Sequence, residues 1–290
     1  MLMAKIDFVK SQGLGNDFII IEDLNGQLEI TADMVVAACD RHFGIGADGL
    51  IILKKSAAAD YYMDFRNADG STAQMCGNGI RVLAQYVFEH IGPQSIMKLE
   101  TGAGVKSVEL MTADGLVDEI KVDMGEPVFT PMRIPMLAEG DDFIDRQVDF
   151  TGGAVSMTCL SMGNPHGVIF VDDIDEADVD TVGPAIESLD IFPERVNVEF
   201  VQVVSADSLR ARVWERGVGE TLACGTGACA ALVAAASNAL TGRSAQVVLP
   251  GGRLRVTWSE NNHITLAGGA REVFTGRLDT EDWPTQGEMD

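Results

Sequence analysis

Met75-Cys76-Gly77-Asn78-Gly79 and Ala223-Cys224-Gly225-Thr226-Gly227 read alike: a small or apolar residue, a cysteine, a glycine, a polar residue and a second glycine. They lie about half the chain apart, as expected if one domain had been duplicated. Each motif opens a helix. After Gly79 the apolar residues fall at Ile80, Leu83, Ala84, Val87, Phe88 and Ile91, the stripe of an amphipathic helix, and Gly92-Pro93 ends it. After Gly227 the run from Ala228 to Ala236 is apolar without a break, which predicts a helix buried on all sides, stopped at Thr241-Gly242. A short helix near Asp33–Asp40 presents Met34, Val35, Ala38 and Cys39 on its apolar side.

Most other segments read as strands. The first half offers Phe18–Ile21, Leu50–Leu53, Tyr61–Phe65, Ile96–Glu100, Val105–Met111 and Glu119–Val122. The second half offers Val155–Leu160, Val168–Val171, Val198–Val204, Leu209–Trp214, Gln246–Leu249, Leu254–Trp258 and His263–Leu266. The fold class that follows is α+β: two pseudo-symmetric α/β domains, each a curved sheet wrapped around one central helix. The crossover is expected to start in Gly125–Asp145, rich in Pro, Met and acids, and the tail after Arg277 reads as loose.

Bulk properties narrow the function classes. A chain of 290 residues suits two domains. A formal net charge of -23 repels phosphate backbones and argues against nucleic acid, while permitting a zwitterionic small molecule. No apolar run reaches the length of a membrane span, and the stretch Met1–Asp7 is too quickly charged for a signal peptide, so a cytoplasmic protein is expected. The cysteines, Cys39, Cys76, Cys159, Cys224 and Cys229, are odd in number and sparse, which fits reduced thiols rather than a disulfide framework. Cys39 on an apolar helix face and Cys159 in a strand read as core filler. Cys229 follows Cys224 by five residues and points about 140° away on a helix, so a metal pair is not expected, and no Cys/His spacing reads as a zinc site.

Cys76 and Cys224 read differently. A helix N-terminus favours a thiolate, by up to about 2 kcal/mol when partly buried, enough to bring a thiol near neutrality. The glycines after each cysteine let a ligand approach the backbone, and the amides of two helix starts suit an α-carboxylate. Deprotonating the α-carbon moves charge onto those oxygens, so such donors hold the transition state more tightly than the ground state. A base on one face of the carbon and an acid on the other would invert its configuration. Gly44-Ile45-Gly46-Ala47-Asp48-Gly49 matches the dinucleotide pattern but follows a helix and leads into a strand, and reads as a turn.

The chain resembles diaminopimelate epimerases from about Phe8 to Arg277. The resemblance rests on eight motifs in order: Gly15-Asn16-Asp17-Phe18, Gly44–Gly49, Asn67-Ala68-Asp69-Gly70, Met75–Gly79, Gly163-Asn164-Pro165-His166, Val196-Asn197-Val198-Glu199, Glu215–Thr221 and Ala223–Gly227. It implies mostly antiparallel sheets and domains at 1–124 and 125–267, the segment from about 268 to 290 returning to the first. Cys76 and Cys224 match the catalytic bases, and Gly77, Asn78, Gly225 and Thr226 the α-carboxylate cradle. Asn16, Asn67, Asn164, Asn197, Glu215 and Arg216 match residues that hold the distal end of the substrate, and His166 and Glu215 positions that tune the cysteines. The resemblance also implies no cofactor, no metal and a homodimer with Phe274 at its interface. Two departures bear on the site: Gly49 stands where many members carry Gln, and Arg66 where an apolar residue is common. Rival readings are a proline-type racemase, a phenazine-pathway-type isomerase that would not need the cysteine pair, and a non-catalytic thiol protein.

Overall fold

A computed structural model describes residues 5–73 and 75–279. In chain order the elements are β1 (Lys5–Gly13), β2 (Asn16–Asp23), α1 (Ala32–Cys39), β3 (Gly49–Lys54), β4 (Tyr61–Asn67), β5 (Thr72–Ala73), α2 (Gly77–Tyr86), β6 (Ile96–Thr101), β7 (Gly104–Ala113) and β8 (Leu116–Gly125). There follow β9 (Phe143–Phe150), β10 (Gly153–Ser161), β11 (Pro165–Phe170), α3 (Val179–Glu187), β12 (Asn197–Ser205), β13 (Ser208–Glu215), β14 (Gly219–Thr221), α4 (Gly225–Ser237), β15 (Ser244–Leu249), β16 (Gly252–Trp258), β17 (Ile264–Gly268) and β18 (Arg271–Asp279). The chain divides into two compact units, one from residues up to 122 together with those from 268 onward, the other from 123–267.

The first unit is a mixed sheet in the order β18-β1-β2-β3-β4-β6-β7-β8. Pairings are antiparallel except β2 with β3 and β4 with β6, the two places where a helix carries the chain across. The sheet packs α2 on one face and α1 on the other. Phe18–Ile21 and Leu50–Leu53 are therefore buried on both sides and read as unbroken apolar runs. Ile19, Ile21, Leu50 and Ile52 join Val35, Ala38 and Cys39 of α1 in one cluster, while Ile51 reaches Gly79 of α2. Thr31 caps α1, its hydroxyl accepting from the Met34 amide at 3.2 Å.

The second unit repeats this plan. Its order is β9-β10-β11-β12-β13-β15-β16-β17, parallel only at β11 with β12 and β13 with β15. Helix α4 packs against β10–β13, β15 and β16, and its residues from Gly227 to Ala235 are all buried. The edge strand beside β10 comes from just before it in sequence, whereas its counterpart beside β1 is β18, from the other end of the chain.

The structure goes beyond or departs from the sequence reading in three elements. Helix α2 carries the expected apolar stripe, yet its polar residues Asn78, Arg81 and Gln85 are buried as well, so it is enclosed on every side from Gly77 to Tyr86, and it continues as a π-helical turn over Val87–Ile91. Its fully buried Arg81 turns back on its own first turn, donating to the Gly77 carbonyl at 3.1 Å and to Asn78 Oδ1 at 2.8 Å. Helix α3 has no apolar-run signal because it contains Gly183 and Pro184; a Cβ at Gly183 would lie 2.7 Å from the Trp214 ring. Strand β9 starts inside the segment read as crossover, and its polar, exposed residues hid it. The tail expected to be loose after Arg277 begins inside β18, where Leu278 and Asp279 pair with Ile6 and Lys5; its remainder lies outside the described residues.

One charged network braces the turn Gly44–Asp48, which leads into β3 at Gly49, as the sequence suggested. Arg41 bridges Asp17 and Asp48, and the almost buried Lys10 pairs with Asp17 and donates to the Gly46 carbonyl. Burial alone would raise the Asp17 carboxyl, but Arg41 and Lys10 outweigh it and hold it at about 2. A depressed carboxyl stabilises the fold above its unfolded pKa and ceases to do so as pH falls through the folded one. Asp17→Asn is therefore expected to lose about 1–2 kcal/mol in urea unfolding at neutral pH. The gap to the parent should close between about pH 4 and about pH 2.

Candidate active site

Both motif cysteines are N-caps. Cys76 precedes the first residue of α2 with extended backbone, and its Sγ accepts from the Gly79 amide at 3.4 Å. Around it, Asn16 Oδ1 receives the Cys76 thiol at 3.7 Å and the Asn78 amide at 3.3 Å. Asn16 is itself aimed by Asp48, whose Oδ2 accepts from Asn16 Nδ2 at 2.7 Å. So the first unit brings Cys76, Gly77, Asn78 and Asn16 together. Asn67 stands at the end of β4, opposite Gly49, with its amide on Ser71 Oγ at 2.9 Å.

The departures at 49 and 66 have a physical reading. A Cβ on Gly49 would meet the Phe65 ring at 2.6 Å and the Arg66 carbonyl at 2.7 Å, so the ring of Phe65 fills the space of a larger residue. Arg66 leaves the opposite face of β4 from Asn67 and pairs with Asp64 at 2.7 Å, which puts its charge away from that asparagine.

In the second unit Cys224 caps α4 and is 5% exposed. Its Sγ lies 3.5 Å from the Thr226 hydroxyl. Asn164 Nδ2 donates to the same hydroxyl at 3.4 Å, and Asn164 Oδ1 meets His166 Nε2 at 2.9 Å. His166, wholly buried, meets Glu199 Oε1 at 2.7 Å. Glu215 accepts from the Thr221 hydroxyl at 2.6 Å. Asn197 joins two backbones, donating to the Pro165 carbonyl at 2.8 Å and accepting from the Arg216 amide at 3.0 Å. The Arg216 guanidinium donates to the Glu194 carbonyl at 2.9 Å.

The helix start does not bring Cys224 toward neutrality. Burial raises its thiol well above the ordinary value, the Glu215 and Glu199 carboxylates push the same way, and Thr226 and the Gly227 amide pull back by less. Burial also raises Cys39, to about 11, and Cys159, as expected of core thiols. Sequence reasoning gave Glu199 no role. Its signal was there: a lone acid inside Val196–Val201, on a strand whose neighbours are all apolar but for Asn197. Among the described residues, Glu89, His90 and Glu272 bring three potential ligand atoms within 4.8 Å, a surface cluster assembled from distant parts of the chain.

The repeated sheet-around-helix unit is the architecture of the racemase and epimerase fold. Solved structures of that fold match nearly the whole chain: a hydroxyproline epimerase from Agrobacterium vitis (TM-score 0.69, 14% identity, 95% of this chain and 91% of that one) and a Bacillus anthracis phenazine biosynthesis protein of the PhzF family (TM-score 0.67, 16% identity, 95% and 99%). The diaminopimelate epimerase family model matches residues 8–130 and 158–273. Relatives named diaminopimelate epimerase include one from Desulfovibrio desulfuricans, 47% identical over 95% of this chain and 99% of the relative, and one from Leptospira biflexa, 43% identical over the same shares. The chain belongs to the diaminopimelate epimerase family.

Overpacking a filled site typically costs about 1–3 kcal/mol. Gly49→Gln is expected to lose that much in chemical denaturation, because both Phe65 and the Arg66 backbone stand in its way. Full stability in that variant would mean the ring of Phe65 moves freely.

Proposed function

We propose that the chain interconverts LL- and meso-2,6-diaminopimelate, a step in lysine and peptidoglycan precursor synthesis, with Cys76 and Cys224 exchanging the proton of one α-carbon. One sulfur, as thiolate, removes the proton; the other, as thiol, delivers a proton to the opposite face; the roles reverse in the other direction. The observation that carries this reading is the placement of both cysteines as N-caps of buried helices, each followed by glycine.

The backbone amides at Gly77-Asn78 and Gly225-Thr226 receive the α-carboxylate, whose charge grows as the α-carbon loses its proton. Glu215 faces the substrate's ammonium and Arg216 its distal carboxylate, with Asn197 holding the Arg216 backbone. Asn16, Asn67 and Asn164 serve either group as donor or acceptor. An ammonium next to Glu215 would offset the charge that now burdens the Cys224 thiolate. His166 acts on Cys224 through Asn164 and Thr226. No pyridoxal phosphate enters this scheme, nor a metal.

The same reading makes the protein a cytoplasmic homodimer. Phe274 is 46% exposed and edge-on to Phe8 at 6.0 Å, and Phe8 lines a groove of about 770 Å³ along β1 and β18 together with Tyr86, His90 and Arg277. No helix among the described residues is long and apolar enough to cross a membrane.

Incubation with LL-diaminopimelate in deuterated water under reducing conditions tests the proposal. Deuterium is expected at one α-carbon, with formation of the meso isomer. Cys76→Ala and Cys224→Ala should each lower turnover by at least about 100-fold. Turnover of proline instead, or undiminished activity in either alanine variant, would contradict it.

A further inference from the structure

Glu199 lies with its whole side chain out of solvent. Its Oε1 meets His166, and its Oε2 has no hydrogen-bond partner. The carboxylate runs beneath the first turn of α4: a Cβ at Gly227 would sit 2.9 Å from Glu199 Oε1 and 3.3 Å from Cys224 Sγ. Glu199, His166, Asn164, Thr226 and Cys224 thus form one continuous chain of contacts inside the second unit.

The chain has a direction. Asn164 Oδ1 can only accept, so His166 Nε2 carries a hydrogen. The short contact on the other side of the ring then needs a second proton, held either by Glu199 or by Nδ1. The pair in that state is neutral overall. Thr226, accepting from Asn164, keeps its own hydrogen for the Cys224 sulfur, which favours thiolate. Let the pair lose the shared proton to solvent while the Cys224 sulfur takes up the proton it draws from the substrate's α-carbon, and every link reverses. The ring's remaining hydrogen turns to the carboxylate, Nε2 accepts, the Asn164 amide flips, and Thr226 donates to it. The Thr226 oxygen then accepts from a Cys224 S–H, which favours thiol.

We propose that Glu199 is a positioning residue of this site: the proton it shares with His166 sets the direction of the chain, and with it whether Cys224 stands as thiolate or thiol. A base that must also serve as acid needs both states, so the inference deepens the reading of Cys224 given above and rests on it. Burial favours retention of the proton by Glu199. The other titratable groups facing the pair are Glu215, from the end of β13, and the buried thiols of Cys224 and of Cys159 on β10. Glu215 is placed so that its charge acts on Glu199 and Cys224 alike.

The test is the pH dependence of iodoacetamide alkylation of the full chain, followed cysteine by cysteine with peptide mass spectrometry. Cys76, in the other unit, is the internal control. Glu199→Gln keeps the volume, removes the carboxylate and can donate its amide hydrogen to Nδ1, which locks the thiolate-favouring direction. The Cys224 midpoint is expected to move down by about one pH unit, with Cys76 unmoved. Thr226→Val cuts the last link and should move the Cys224 midpoint up. An unmoved Cys224 midpoint in Glu199→Gln, or equal shifts at both cysteines, would overturn the proposal. Should Glu199→Gln fail to fold, Thr226→Val decides alone, and an unmoved or lowered midpoint there overturns it. Alkylation needs no turnover, so a parent chain that leaves diaminopimelate unexchanged while these shifts persist would refute the substrate reading and not this one.

Discussion

A thiol buried at the first turn of a helix is pulled two ways, and the second unit is organised around that contest. Amides at the start of α4 and the Thr226 hydroxyl favour the anion; burial, and after it the charge of Glu215, oppose it more strongly. The sulfur therefore rests protonated, and whatever makes it a base must arrive with positive charge or rearrange hydrogen bonds. In the proposed function a zwitterionic substrate supplies the first, and in the proposed role of Glu199 the contacts from Glu199 to Thr226 supply the second.

Burying a helix start that deeply needs a sheet able to enclose it. Each unit achieves this with the same order of strands, antiparallel pairs broken by two parallel ones, and a helix at each parallel step. The glycines are part of the enclosure: at Gly227 there is no room for a Cβ beside Glu199 and Cys224. The exchange of edge strand, β18 in one unit and β9 in the other, ties the end of the described chain to its beginning. The ion pairs of Lys5 with Asp279 and Arg277 with Asp7 lie along that seam.

Much of this was legible in the residues. The doubled Cys-Gly-polar-Gly motif marked both helix starts, and the expected strands all fall on strands of the structure, because strands buried on both faces, such as β2 and β3, write themselves as unbroken apolar runs. What stayed hidden was structure that follows tertiary context. Strand β1 mixes charge into its core face because Lys10 finds Asp17, and β18 is ordered by pairing with it. Helix α3 survives Gly183 and Pro184 because Trp214 packs against the glycine. In the site, the cysteine positions could be read from spacing alone. The elevated state of the Cys224 thiol could not, since it depends first on the burial that the whole sheet provides and then on Glu215 and Glu199, which come from two different strands.

The most direct measurement of this account is the Cys224 thiol titration itself, followed by NMR of a chain carrying ¹³Cβ-labelled cysteine, free and with saturating diaminopimelate. The account predicts a free thiol that ionises well above the ordinary cysteine range and drops by at least about one pH unit with ligand. A Cys224 that ionises in the ordinary range when free, and does not respond to the ligand, would contradict it.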